Sequence, residues 1–438
     1  KKLLVSQYIS ANDSRPGEVD LSTGKLTMFP VDGGKASFGG FEYARNGKGV
    51  FFVSDEESEF MHLRFHDFAT QKIRIISKDI PWDIDGLAQS EDGKSIAFVT
   101  NEDGISMLRI LDTKNFSARK LPKLPIGVVG GMQFSPDGQQ LALTINTATS
   151  PNDVYVINLK TTQLMRWSQS EVGGLDSSTF IAPTLVRYKS FDGREIPAFL
   201  YKPQGKGPFP VIVNIHGGPE SQAFPTFNSS IQYMLREMKI AVLVPNVRGS
   251  SGYGKNYLQL DNGLKRKDSV KDIGALLDWI ATQPDLNKNR VGVSGGSYGG
   301  YMVLASMVDY NDRIRAGIDV VGISNFTTFL TNTESYRRDL RRAEYGDERE
   351  PEMRKFHTKI APLNNAKNIT HPLFVAQGFN DPRVPYTEAE QIVKAVRGNG
   401  GDVWYLMYKD EGHGFQKKTN TDYFGAASML FWQKYLLE

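Results

Sequence analysis

The segment Arg290 to Tyr301, RVGVSGGSYGGY, carries an apolar run into a cluster of glycines around a serine. A serine hydroxyl is a poor nucleophile at neutral pH, so it must be held exposed on a sharp turn, beside a base and next to backbone N–H donors. Small residues two before and two after it let a strand and a helix pass close together, and Gly295 and Gly299 meet that need for Ser297. Gly292 to Gly296 fits the same G-x-S-x-G pattern around Ser294. A helix opening on Gly295 and Gly296 would cost about 1 kcal/mol for each glycine relative to alanine. Ser297 is therefore assigned as nucleophile, with a strand over 290–294, a bend at the paired glycines and a helix over 301–307.

Two later segments carry the partners such a serine needs. Leu373 to Ala376 (LFVA) leads into GFNDPRVP, which puts Asp381 on a loop at a strand's carboxyl end. Val403 to Tyr408 (VWYLMY) leads into EGHGF, whose glycines are read as leaving His413 on a mobile, uncrowded loop. His413 is the candidate general base and Asp381 the carboxylate that fixes its tautomer. Each alone has a bland reading, a turn aspartate before proline and a surface histidine. Their joint chain order, Ser, Asp, His, is the one an α/β-hydrolase uses.

Developing charge on a carbonyl oxygen also needs preorganised donors. Val211 to Ile215 ends in His216-Gly217-Gly218-Pro219, and the amides of Gly218 and Tyr298 are the candidate oxyanion donors. His216 directly follows a buried strand and is read as ordering that loop rather than reacting.

The elements that must hold these residues alternate. Apolar runs at 211–215, 240–244, 316–321, 373–376 and 403–408 are separated by helical patterns, the clearest over 268–283 with Val270, Ile273, Leu276, Leu277 and Ile280 on one stripe. That order implies a doubly wound, mostly parallel sheet.

Six motifs then occur in order: HGGP at 216–219, NVRGSSGYG at 246–254, GGSYGGYM at 295–302, YRRDLRRAEYGD at 336–347, NDPRVP at 380–385 and DEGHGF at 410–415. With them, residues 182–438 resemble the prolyl oligopeptidase family of serine peptidases, in its acylaminoacyl-peptidase-like branch. The resemblance implies the triad Ser297, Asp381 and His413, with Gly218 and Tyr298 framing the oxyanion hole. Some branches donate from a tyrosine hydroxyl near the first motif; HGGPES has none, which favours two backbone donors.

The first part of the chain reads differently. ARNGKGVFFVSD, SEDGKSIAFVTNEDG and SPDGQQLALTINTAT place Gly47, Gly93 and Gly138 at equivalent turns, 46 and 45 residues apart, each followed by two strand-like runs. That is the period of a β-propeller blade. Residues 3–29 resemble only the later half of a blade, so about three and a half blades are expected where a propeller closes with about 4–8. The division expected is propeller blades over 1–178 and an α/β-hydrolase domain over 179–438. The partial first blade and the absence of an initiator methionine give the expectation of a fragment whose upstream blades were cut away, are disordered or sit on a separate chain.

Composition bounds the partners. The 438 residues are 40% hydrophobic with a formal net charge of +3, so real cores are expected and no nucleic-acid partner is implied. No apolar run approaches the ~20 residues a bilayer-crossing helix needs. There is no cysteine, which excludes disulfides and thiol catalysis and leaves the compartment open between cytoplasm and periplasm or secretion. No metal or cofactor is assigned; His62 and His66 are read as ordinary strand residues. The basic run at 336–342 is read as a solvated helix face with ion pairs, with Arg341 also considered as a cleft-rim cation for a substrate carboxylate. Arg248 is read as a structural tether, and Phe326 and Tyr345 as either substrate-pocket or core side chains. Short peptides are the expected substrates, and a homo-oligomer is left open. A serine peptidase leads, a carboxylesterase is the alternative, and a non-catalytic propeller scaffold comes last because the triad is intact.

Overall fold

The computed structural model describes residues 1–31 and 34–438. The chain forms two compact units, one comprising Lys1–Ala182 with Phe224–Phe227 and Ser251–Tyr257, the other Pro183–Ala223, Asn228–Ser250 and Leu258–Glu438.

The first unit consists of propeller blades, four small antiparallel sheets in chain order. The repeated turn has a physical cause. Gly47, Gly93 and Gly138 take φ of 69°, 67° and 67°, and their amides donate to the carbonyls three residues back, Ala44, Ser90 and Ser135, at 2.8, 2.9 and 2.8 Å. The residue before each glycine completes the turn: the side chains of Asn46, Asp92 and Asp137 accept the amides of Lys48, Lys94 and Gln139. In the strand Ser95–Glu102, Ile96 and Phe98 face one apolar cluster while Ala97 faces the next. Both faces are buried, so the strand reads as a continuous apolar run. The first sheet departs from the half blade expected. It holds three strands, Lys2–Ser10, Asp13–Asp20 and Leu26–Met28. The middle one contains Pro16 and Gly17, residues that disguise a strand in sequence. His62 and His66 both lie in the strand His62–Asp67.

The second unit is an α/β-hydrolase domain. Its sheet contains β1 (Thr184–Lys189), β2 (Glu195–Tyr201), β3 (Phe209–Ile215), β4 (Ala241–Pro245), β5 (Leu286–Gly296), β6 (Ala316–Val320), β7 (Leu373–Gly378) and β8 (Val403–Tyr408). The order is 1-2-4-3-5-6-7-8, parallel from β4 through β8 and antiparallel at β1 and β2. The chain reverses its direction of travel across the sheet around β3, and sites in such sheets lie beyond the carboxyl ends of the strands near that point. The helices are α1 (Ser229–Arg236), α2 (Arg266–Thr282), α3 (Tyr298–Asp309), α4 (Phe326–Asn332), α5 (Ser335–Tyr345), α6 (Pro351–Ile360), α7 (Tyr386–Gly398) and α8 (Lys418–Trp432). In α2 the expected stripe of Val270, Ile273, Leu276, Leu277 and Ile280 is buried. From Tyr298 to Met307 α3 is buried all round, as a central helix must be. Trp432 closes the sheet's other face: a Cβ on Gly292 would fall 2.5 Å from its ring. Among the described residues no helix is long and apolar enough to cross a membrane.

One core group predicts how stability varies with pH. Asp319 of β6 is fully buried, with the backbones of Gly300 and Gly322 closing on it. Burial first, and the neighbouring Glu388 charge second, push its carboxyl up to about 7, against about 3.9 in an unfolded chain. Folding thus favours the protonated form, so this contribution is complete below the unfolded value and is lost as pH rises through about 7. Asp319→Asn should exceed the wild type in urea midpoint at pH 8 by clearly more than it does at pH 5, where only part of the contribution has been lost. An unchanged pH 8 midpoint refutes the assignment.

Candidate active site

Ser297 stands between β5 and α3 at φ 59°, ψ −119°, a conformation that costs a non-glycine residue about 1–3 kcal/mol and persists only where its surroundings enforce it. Here the Ser297 amide donates to the Val320 carbonyl at 2.8 Å. A Cβ on Gly295 would meet the Gly299 carbonyl at 2.5 Å, and one on Gly299 the Ile215 carbonyl at 2.2 Å. Both flanking positions therefore have to be glycine. Ser294 lies inside the ladder, paired with Asn214 of β3 and Ile318 of β6. The strand does not end at Ser294 as expected, because Gly295 and Gly296 go on pairing with Asp319 and Val320. The bend falls on Ser297 itself, and the helix begins at Tyr298 rather than Tyr301.

Asp381 follows β7 and is 8% exposed. Its Oδ1 accepts the amides of Arg383 and Val384 at 2.8 and 3.0 Å. Its Oδ2 lies 2.7 Å from His413 Nδ1. A carboxylate there accepts from Nδ1–H, which leaves Nε2 with a free lone pair. The histidine loop is tied down by its own hydrogen bonds rather than left uncrowded. Glu411 accepts the amides of Gln416 and Lys417 and the side chain of Asn420, at 3.0, 2.9 and 2.8 Å, and these donors hold its carboxyl below the usual range. Asn380 ties the aspartate loop to the same segment through bonds to the Glu411 and Lys409 carbonyls at 2.9 and 2.8 Å. Glu411 was not singled out in the sequence, although it lies inside DEGHGF; a carboxylate that binds its own loop looks there like any surface acid.

The loop after β3 lies against the elbow: a Cβ on Gly217 would be 3.4 Å from Ser297 Cβ. Gly218 takes φ 121°. Tyr298 opens α3, so its amide is among those that a helix start leaves without an intrahelical acceptor. His216 contacts the Gly217 carbonyl through Nδ1 (2.7 Å) and Ser250 Oγ through Nε2 (2.8 Å). Burial lowers its pKa, which suits a neutral ring that orders the loop. Arg248 binds Asp272 at 2.8 Å and Asp192 at 3.1 Å while its guanidinium lies over Phe191, tethering the turn after β4 to α2 and to the β1–β2 turn.

The basic run forms most of α5 and differs from the solvated face expected. Arg342 does pair with Glu348 and Asp339, but Arg341 is largely buried between Glu220 (3.1 Å) and Glu344 (2.8 Å). Both acids are already engaged with it, so it is not a free cation for a substrate carboxylate. Phe326 and Tyr345 are 0% and 2% exposed, with rings 4.9 Å apart, and so are core side chains.

Taken together, one sheet presents a strained serine after β5, a carboxylate-paired imidazole after β7 and β8, and a glycine loop after β3.

Residues 225–438 match the prolyl oligopeptidase family. The chain is 28% identical over 404 residues to dipeptidyl aminopeptidase BIII of Pseudoxanthomonas mexicana, covering 88% of this chain and 58% of that enzyme. It is 34% identical over 218 residues to dipeptidyl peptidase family member 6 of Caenorhabditis elegans, 49% of this chain and 29% of that protein. The chain thus spans little more than half of the first relative and less of the second. A solved structure titled as a puromycin hydrolase superposes with a TM-score of 0.86 at 21% identity, covering 96% of this chain and 65% of that one, which establishes the shared fold.

Proposed function

With residues 225–438 belonging to the prolyl oligopeptidase family, we propose that the chain is a serine peptidase that cleaves short peptides through an acyl-enzyme. The observation that carries this reading is the 2.7 Å contact between His413 Nδ1 and Asp381 Oδ2, in a sheet whose β5 ends at the strained Ser297. His413 Nε2 takes the proton of Ser297 as Oγ attacks the scissile carbonyl carbon. The amides of Gly218 and Tyr298 receive the charge that develops on the carbonyl oxygen. His413 then delivers the proton to the leaving amine, and the C–N bond breaks. Water, activated by the same imidazole, attacks the ester and frees Ser297. Asp381 stays ionised throughout and stabilises the imidazolium.

Short peptides are favoured because the relative matched along most of the chain is named a dipeptidyl aminopeptidase. The same machinery hydrolyses esters, so substrate class is decided by rates. The chain and its Ser297→Ala variant are compared on free dipeptidyl anilides, N-acetyl-aminoacyl anilides, internally blocked peptide anilides and short-chain esters. Ser297-dependent anilide cleavage is expected, and the preferred amino terminus distinguishes dipeptidyl, acylaminoacyl and oligopeptidase action. Turnover of esters alone would overturn the peptidase reading in favour of a carboxylesterase.

A further inference from the structure

Behind the elbow lies a cluster of buried charge that the mechanism above does not use. Arg266, at the head of α2, is 1% exposed and pairs with the fully buried Asp261. Its guanidinium lies over two rings at once, 5.0 Å from the centre of Tyr298 and 4.7 Å from that of Tyr345. The two rings stack on each other, 6.2 Å apart and 21° from parallel. The Tyr298 hydroxyl donates to Asp261 at 3.0 Å, and the Tyr345 hydroxyl donates to the carbonyl of Gly218 at 2.9 Å.

A second branch reaches the same loop. Arg341 joins Glu220, two residues beyond Gly218, to Glu344, the residue before Tyr345. Burial first, and the neighbouring Glu220 charge second, push the Glu344 carboxyl well up from its usual range. Buried ion pairs of this kind stabilise a fold no better than well-packed apolar side chains of the same size.

The two residues the cluster grips are Gly218 and Tyr298, the candidate oxyanion donors. Gly218 has no side chain and sits at φ 121°, so no side chain of its own holds its amide in place. The loop is held from one side by the contact of Gly217 with the elbow and from the other by the Tyr345 hydroxyl. Tyr298 is the first residue of α3, and its ring, stacked on Tyr345 and capped by Arg266, fixes the place of its amide.

We propose that the Tyr298–Arg266–Tyr345 stack sets the spacing of the two oxyanion donors, with Tyr345 a positioning residue that acts through the carbonyl of Gly218. This inference rests on the serine peptidase reading of the same site.

Tyr345→Phe in the full chain tests it, because phenylalanine keeps the ring contacts with Tyr298, Phe326 and Phe329 and deletes only the hydroxyl. Removal of a whole oxyanion donor costs about 10²–10³ in kcat; a donor left in place but free to turn should cost about 10–100-fold. The expected result is that loss in kcat, KM within about twofold, and affinity for a peptide boronate, which forms a charged tetrahedral adduct on serine, reduced by the same factor as kcat. Phe329→Leu loosens the same aromatic cluster without touching Gly218, and should lower the thermal midpoint while leaving kcat and boronate affinity near wild type. The proposal is overturned if Tyr345→Phe keeps wild-type kcat and boronate affinity, if its kcat falls without the boronate loss, or if Phe329→Leu reproduces both losses. Failure of the peptidase reading is seen separately, as a wild-type chain that neither cleaves anilides nor binds the boronate in a Ser297-dependent way, and it takes this inference with it.

Discussion

Ser297→Ala lowers kcat on a peptide anilide by about 10⁴–10⁶-fold, whereas Ser294→Ala stays within about threefold of wild type. The contrast follows from where the two hydroxyls sit. Ser297 is outside the ladder on a backbone of φ 59°, the arrangement that lifts a nucleophile off the sheet toward a base. Ser294 is paired on both sides, with Asn214 and Ile318. Alanine at 297 removes the attacking atom and leaves the Val320 and Ile215 contacts of the elbow in place, so the thermal midpoint should barely move. Residual turnover, from oxyanion stabilisation and binding alone, should still exceed the uncatalysed rate. If instead Ser294→Ala were the inactive variant, the turn would have been assigned to the wrong serine.

Asp381→Asn is the second large effect, about 10⁴-fold in kcat with little change in KM. The amide oxygen of asparagine can still accept from Arg383 and Val384, as Oδ1 of the aspartate does at 2.8 and 3.0 Å, so the loop keeps its shape. Its NH₂ then faces His413 Nδ1, where a carboxylate accepted a hydrogen bond. Two donors cannot share that contact, so the imidazole is driven to the tautomer with hydrogen on Nε2, the nitrogen needed as base. The variant should fold normally and bind substrate normally. A loss smaller than about tenfold would remove Asp381 from its orienting role.

Much of this site can be read locally. The serine, aspartate and histidine each sit within a few residues of an apolar strand and a glycine or proline, because a strand end beside a tight turn is encoded over a short stretch. The blade repeat is legible for the same reason: an Asn or Asp followed by a left-handed glycine is a self-contained turn. What escaped the reading is set by contacts distant in sequence. Gly295 and Gly296 look like a bend until β6 is known to lie beside them. The EGHGF glycines suggest mobility, and only the folded loop shows Glu411 gathering its amides. Tyr345 and Gly218 are 127 residues apart, and Arg266 reaches the carbonyl of Glu344 across 78. No periodicity links such pairs. The basic character of α5 was visible, but not that Arg341 faces inward onto Glu220, since a helix run rich in arginine ordinarily marks a solvated face.

The most direct measurement is to treat the chain with a fluorophosphonate and locate the adduct by mass spectrometry of its peptides. A single modification on Ser297, absent from Ser297→Ala, retained in Ser294→Ala and slowed in Asp381→Asn, is the expected result. Modification of Ser294 or of a serine outside the elbow, or no modification of the wild-type chain, would contradict the assignment of Ser297 as a nucleophile served by His413 and Asp381.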